Sequence, residues 1–138
     1  MKEIFVDTGY WIAQLNPKDE LHQRAQEVAS GLGRVRYVTS EWVLTELLNG
    51  LAGRGTSLRQ RGAELIMTLR KRSDMAVIPA TSDVFRAGVQ LYAGRPDKAW
   101  GLTDCTSFLI MRSRGIQEAL AHDHHFQQAG FVPLLRNE

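Results

Sequence analysis

The sequence predicts a three-layer α/β/α domain built on a mainly parallel sheet of about five strands. Three observations carry that reading. Short apolar runs alternate along the whole chain with stretches whose apolar residues recur at helical spacing. The first run, Ile4-Phe5-Val6, is continuous rather than alternating, as a parallel strand buried on both faces requires. It ends in Asp7-Thr8-Gly9, turn chemistry at the carboxyl end of a strand, where open α/β sheets form their sites. A chain of 138 residues suits one domain, spanning 1–138, which buries roughly two-thirds of its unfolded surface without staples.

The elements follow in order. Tyr10 to Ala13 reads as a helical turn closed by Asn16-Pro17. Asp19 to Gly31 is a helix, with Leu21, Ala25, Val28 and Ala29 on one face. Val35 to Val38 is the second strand. Thr39 or Ser40 caps the next helix, whose broad apolar face is Val43, Leu44, Leu47, Leu48 and Leu51, and Gly53 and Gly55 end it. Leu58 to Arg72 is a fourth helix with Leu58, Ala63, Ile66, Met67 and Leu69 inward, and Met75 to Pro79 a third strand. Ser82 or Thr81 caps a helix over Asp83–Tyr92, and Asp97 to Leu102 is a loop. Thr103 caps a helix from Asp104 to Ser113, closed by Gly115. Ala119 to His122 is the fourth strand, His124 to Ala129 a helical turn, and Phe131 to Leu135 the last strand.

Bulk properties narrow the function classes. The formal net charge is +2, which excludes a strongly basic nucleic-acid coat but not an enzyme that gathers acids in one pocket. Arg54, Arg59, Arg61, Arg70, Lys71 and Arg72 cluster on what reads as a solvated helix face. Cys105 is the single cysteine, so there is no internal disulfide and no cysteine-based zinc site; that usage fits the reducing cytoplasm. Glu3 and Asp7 interrupt the first apolar stretch, which argues against a signal peptide, and no run is long enough to span a membrane.

Four carboxylates can meet in this topology. Asp7 ends the first strand and Asp123 the fourth. Asp104 opens the helix that leads into the fourth strand, so it starts on the carboxyl side of the sheet, where the helix N-terminus also favours an anion. Glu46 lies beside the apolar face of the third helix, able to look inward. Such a set repels itself unless some members stay protonated or a hard divalent cation joins them. The bland alternative for each acid is a cap or turn former.

The residues are similar to those of PIN-domain proteins, of the kind that serve as toxins in VapBC toxin–antitoxin pairs. The resemblance rests on Phe5-Val6-Asp7-Thr8-Gly9, Thr45-Glu46-Leu47-Leu48-Asn49, Leu102-Thr103-Asp104-Cys105-Thr106-Ser107-Phe108 and Asp123-His124-His125-Phe126, followed by Ala129-Gly130-Phe131. It covers nearly the whole chain. It implies an endoribonuclease dependent on Mg2+, with Mn2+ as a substitute, that hydrolyses RNA phosphodiester bonds with a metal-activated water. Asp7, Glu46, Asp104 and Asp123 carry over as the catalytic and metal-binding set. Thr8 and Ser107 carry over as supporting hydroxyls, Ser107 being one helical turn past Asp104. It also implies a cognate antitoxin that covers the site and a homodimer formed through helices on one face, for which the third and fourth helices are apolar enough.

Lys98, Trp100, Arg112 and Arg114 are candidate RNA contacts, Trp100 by stacking on a base and the cations by meeting phosphates. Trp11 and Trp42 offer the same stacking surface, with core packing as the alternative. His122, His124 and His125 read as a turn flanking the fourth strand, and Cys105 as a buried filler. Two rivals stand beside the nuclease. A haloacid-dehalogenase-like phosphatase places a second acid two residues after the first, where this chain has Gly9. A non-catalytic RNA-binding module keeps the fold but has no need of all four acids.

Overall fold

The computed structural model describes residues 1–136, and in them the sheet is wholly parallel. The chain runs β1 (Glu3–Val6), α1 (Thr8–Leu15), α2 (His22–Ser30), β2 (Arg36–Ser40), α3 (Glu41–Leu51), α4 (Thr56–Leu69), β3 (Met75–Ile78), α5 (Ser82–Gly94), α6 (Leu102–Arg114), β4 (Glu118–Leu120), α7 (His124–Gln128) and β5 (Val132–Pro133). Seven helices flank five strands in the order β3-β2-β1-β4-β5. The three-layer reading holds, and every strand expected from the sequence is present.

β1 is central because its side chains want no water on either face: Ile4, Phe5 and Val6 are fully buried. It pairs with β2 through Ile4 opposite Tyr37 and Phe5 opposite Val38, and with β4 through Phe5 opposite Ala119 and Val6 opposite Leu120. The chain first builds outward from β1 to β2 and β3, then returns to the other flank of β1 for β4. That reversal opens a crevice beside the carboxyl end of β1, the place where such sheets bind ligands.

β2 extends two residues further than its apolar run. Thr39 is a buried strand residue whose Oγ1 donates to the Val6 carbonyl at 2.9 Å, tying β2 to the end of β1. Ser40 alone caps α3, its Oγ accepting from the Val43 N–H at 3.1 Å. Thr81 caps α5 in the same way through the Val84 N–H. α6 begins two residues earlier than its sequence suggests. Gly101, not Thr103, is its cap, and Asp104 reaches back to accept from the Gly101 N–H at 3.0 Å.

α4 turns Leu58, Ile66 and Leu69 inward as expected, but not Ala63 or Met67. Its buried face is Gly62 and Leu69, with Leu58, Leu65 and Ile66 half-buried, whereas Met67 is 62% exposed and Ala63 faces solvent. The close approach at Gly62 sets this phase, because a Cβ there would lie 2.8 Å from Leu51 Cδ1 on α3. Gly88 plays the same part where α5 packs along α6, since a Cβ would meet Thr106 Cγ2 at 2.9 Å.

The core continues under the crevice as an aromatic cluster. Phe108 on α6 packs edge-on against Trp100 at 5.0 Å and Phe126 at 5.1 Å, and tilted against Phe131 at 5.7 Å. Burial of each ring contributes about 2–3 kcal/mol. Through Phe108 and Phe126 the cluster ties α6 to α7, the two helices that begin beside Asp104 and Asp123.

Candidate active site

Asp7, Glu46, Asp104 and Asp123 line one open concavity of about 530 Å³ at the carboxyl edge of the sheet, together with Thr8, Gly9, Leu21, His122, His124 and Arg136. Each acid arrives by a different local rule. Asp7 is the first residue beyond β1, and its N–H still donates to the Leu120 carbonyl, which fixes it against β4. Asp104 is the third residue of α6 and is held by the Gly101 N–H. Asp123 caps α7, accepting from the His125 N–H at 3.0 Å. Glu46 projects from the exposed side of α3, and Thr8 Oγ1 donates to its Oε1 at 2.7 Å. It looks into the site from the rim rather than from within the core.

The electrostatics follow from crowding and depth. Asp7 is only 8% exposed. Burial pushes its pKa up to about 7; the Thr8 N–H opposes this, while Asp104, Glu46 and Asp123 add to it. Burial raises Asp104 as well, the Gly101 N–H opposes, Asp123 raises it further, and His125 pulls it back. The deepest carboxylate thus carries a large desolvation cost that no basic side chain among the described residues relieves by direct contact. A set of oxygen donors in that condition suits a hard divalent cation.

The supporting hydroxyls separate. Thr8 joins the site through Glu46. Ser107 is fully buried one turn along α6 from Asp104, its Oγ has no hydrogen-bond partner among the described residues, and it does not line the concavity.

The candidate RNA contacts mostly lie elsewhere. Trp100 is buried, its Nε1–H donates to Gln128 Oε1 at 3.0 Å, and the Arg95 guanidinium covers its ring, so its faces are not open to a base. It instead joins the loop before α6 to the end of α7. Trp11 is likewise core, and Trp42 stacks on Phe85. Arg114 makes a two-pronged ion pair with Glu3, at the opposite edge of the sheet from Asp7. Arg112 belongs to the same last turn of α6, on the order of 12–15 Å along the helix axis from Asp104. Neither reaches the acids. Lys98 is half-buried in the loop before α6, and Cys105 is the buried filler expected.

Three histidines that read as a turn, and Arg136 beside them, lie at the site. His122, His124 and Arg136 border the concavity, with Arg136 Nη1 donating to the His122 carbonyl at 3.2 Å. His125 reaches deepest: its Nδ1 lies 3.1 Å from Asp104 Oδ2 and 3.2 Å from Asp123 Oδ1. The spacing Asp123-x-His125 across a helix start was the one available signal. Nothing local marks Arg136, which arrives by way of the turn after β5.

A family model described as PIN domain matches residues 4–132. The 23S rRNA-specific endonuclease VapC20 of Mycobacterium tuberculosis, strain H37Rv, is 33% identical over 132 residues, covering 94% of this chain and 95% of the relative. The crystal structure of Mycobacterium tuberculosis VapC20, described as a sarcin–ricin-loop-cleaving toxin, superposes with a TM-score of 0.84 at 31% identity, covering 94% of this chain and 97% of the other. FitAcB from Neisseria gonorrhoeae superposes with a TM-score of 0.64 at 18% identity over 94% of each chain and shares the fold. With the sheet order, the four-acid crevice and these likenesses together, the chain belongs to the PIN-domain family, with VapC-type nucleases among its relatives.

Proposed function

We propose that this protein is a divalent-metal-dependent endoribonuclease toxin that cuts an exposed loop of structured RNA, ribosomal RNA being the leading substrate class. The observation that carries the reading is the convergence of Asp7, Glu46, Asp104 and Asp123 on one concavity. The substrate class follows from the likeness to VapC20 over 94% of the chain.

Asp7, Glu46, Asp104 and Asp123 would hold the ion, Mg2+ or Mn2+. When bound it supplies a Lewis acid toward a phosphoryl oxygen and a more acidic water. The chain's own residues do the rest. Thr8 orients Glu46 through its 2.7 Å hydrogen bond, leaving the second carboxylate oxygen free to accept a proton from an attacking water. Arg136, His122 and His124 border the acids where the flanking phosphates of a looped strand would pass. The concavity is open and wide, which suits a splayed backbone better than a duplex.

The test is cleavage of ribosomal RNA and intact ribosomes with Mg2+, with Mn2+ and with chelator, comparing wild type with Asp7→Asn. Discrete cuts that require both the metal and Asp7 are expected. Cleavage indifferent to chelator or to Asp7→Asn would overturn the reading. Metal binding without cleavage of any RNA would favour the non-catalytic module.

A cytoplasmic antitoxin partner belongs to the same proposal, because an unrestrained ribonuclease would damage its own cell. The homodimer is better supported on α5 than on α3 and α4. The buried face of α4 already packs on α3, whereas Phe85, Val89 and Tyr92 form an exposed stripe at helical spacing, 45%, 42% and 55% exposed. Light scattering on wild type and Phe85→Glu would decide it, with monomer expected for the variant.

A further inference from the structure

We infer that His125 supplies a nitrogen ligand, making this a mixed imidazole–carboxylate site that prefers a transition-metal dication to Mg2+. The inference rests on the metal-dependent reading above and adds to it the kind of ion.

The geometry is specific. One ring nitrogen, His125 Nδ1, lies 3.1 Å from Asp104 Oδ2 and 3.2 Å from Asp123 Oδ1. Donors at adjacent corners of an octahedron with bonds of about 2.1 Å stand about 3 Å apart. The ring nitrogen therefore stands at about that spacing from one oxygen of each of the two acids. The ring is well held for the task. The His125 side chain is 16% exposed, and the His125 backbone N–H donates to Asp123 Oδ1, so cap, helix start and ring form one unit. Phe126, the next residue, is fully buried against Phe108 and anchors that unit to α6. Asp123, His124 and His125 offer ligand atoms within 4.8 Å of one another, but His124 is 56% exposed; its ring lies beside that of His125, and Asp123 is the acid it meets. His124 makes the natural control. Imidazole favours transition metals over magnesium, which takes oxygen.

The experiment is pulsed electron paramagnetic resonance of Mn2+ bound to the full-length protein, read alongside Mn2+ and Mg2+ titrations. Wild type is expected to show nitrogen modulation on Mn2+ that changes when histidine is labelled with 15N. The modulation should persist in His124→Gln and vanish in His125→Gln, with Mn2+ affinity falling about tenfold and Mg2+ affinity changing far less. The isotope comparison needs no variant, so a poorly folded His125→Gln does not block the test. Bound Mn2+ without histidine nitrogen modulation, or modulation that survives His125→Gln, overturns the inference and leaves the nuclease reading standing. No Mn2+ binding at all would sink both.

Discussion

Replacing Asp7 with Asn should stabilise the metal-free protein at alkaline pH while abolishing its response to metal. Asp7 is raised from an ordinary 3.8 to about 7 because folding strips it of water and sets three other acids around it. The sign follows directly. Below about 4, both folded and unfolded chains hold the proton and nothing is lost. Between about 4 and 7 the unfolded chain releases a proton that the fold keeps, so stability falls by about 1.4 kcal/mol per pH unit. Above 7 the loss is complete, about 4 kcal/mol. At pH 5 it is about 2 kcal/mol. The asparagine carries no such penalty, so its advantage over wild type should grow by about 3 kcal/mol from pH 5 to pH 8, or about 10 °C in midpoint for a domain of this size. Thermal unfolding followed by circular dichroism in chelator, at both pH values, measures that difference. Millimolar Mg2+ or Mn2+ should then raise the wild-type midpoint at pH 8 and leave the variant unmoved. An Asn variant with the same offset from wild type at both pH values, or one that metal stabilises as well as it does wild type, would refute the electrostatic account of the site.

Thr8→Val frees Glu46 without removing a carboxylate, so cleavage at limiting metal should fall about tenfold and recover as metal is raised; equal loss at all metal concentrations would mean Thr8 acts otherwise. Gly88→Ala drives a methyl into Thr106 at 2.9 Å, and denaturant unfolding should show a loss of about 1–3 kcal/mol, whereas Gly9→Ala, with open space around it, should cost far less. Trp100→Phe keeps the ring packing and orphans Gln128, which should cost about 1 kcal/mol and lower cleavage without weakening RNA binding. Arg136→Ala should weaken RNA binding and reduce the magnitude of the salt slope by about 0.7, while Arg114→Ala, across the sheet, should leave that slope unchanged.

Thr103 looked like the cap of α6, but Asp104 closes on the Gly101 N–H three residues back and the helix starts at Leu102, a local competition between neighbouring residues. Other expectations failed where a contact distant in sequence decided them. The helical pattern in α4 allowed several phases, and Gly62 chose one because only there could α3 come close. Trp100 gave no local sign that Gln128, 28 residues away, would take its N–H.

What the sequence determined by itself was the layered α/β architecture and the four acids. Apolar runs bounded by turn residues leave a parallel sheet few alternatives, and a parallel sheet sends every strand end, with the acid that follows it, to the same edge. What tertiary structure alone decided was the company those acids keep. His125 between Asp104 and Asp123, Thr8 on Glu46 and Arg136 at the rim all depend on where separate elements come to rest. The depth that drives Asp7 upward is likewise a property of the assembled fold, because desolvation is imposed by whatever packs around a residue and not by its neighbours in the chain.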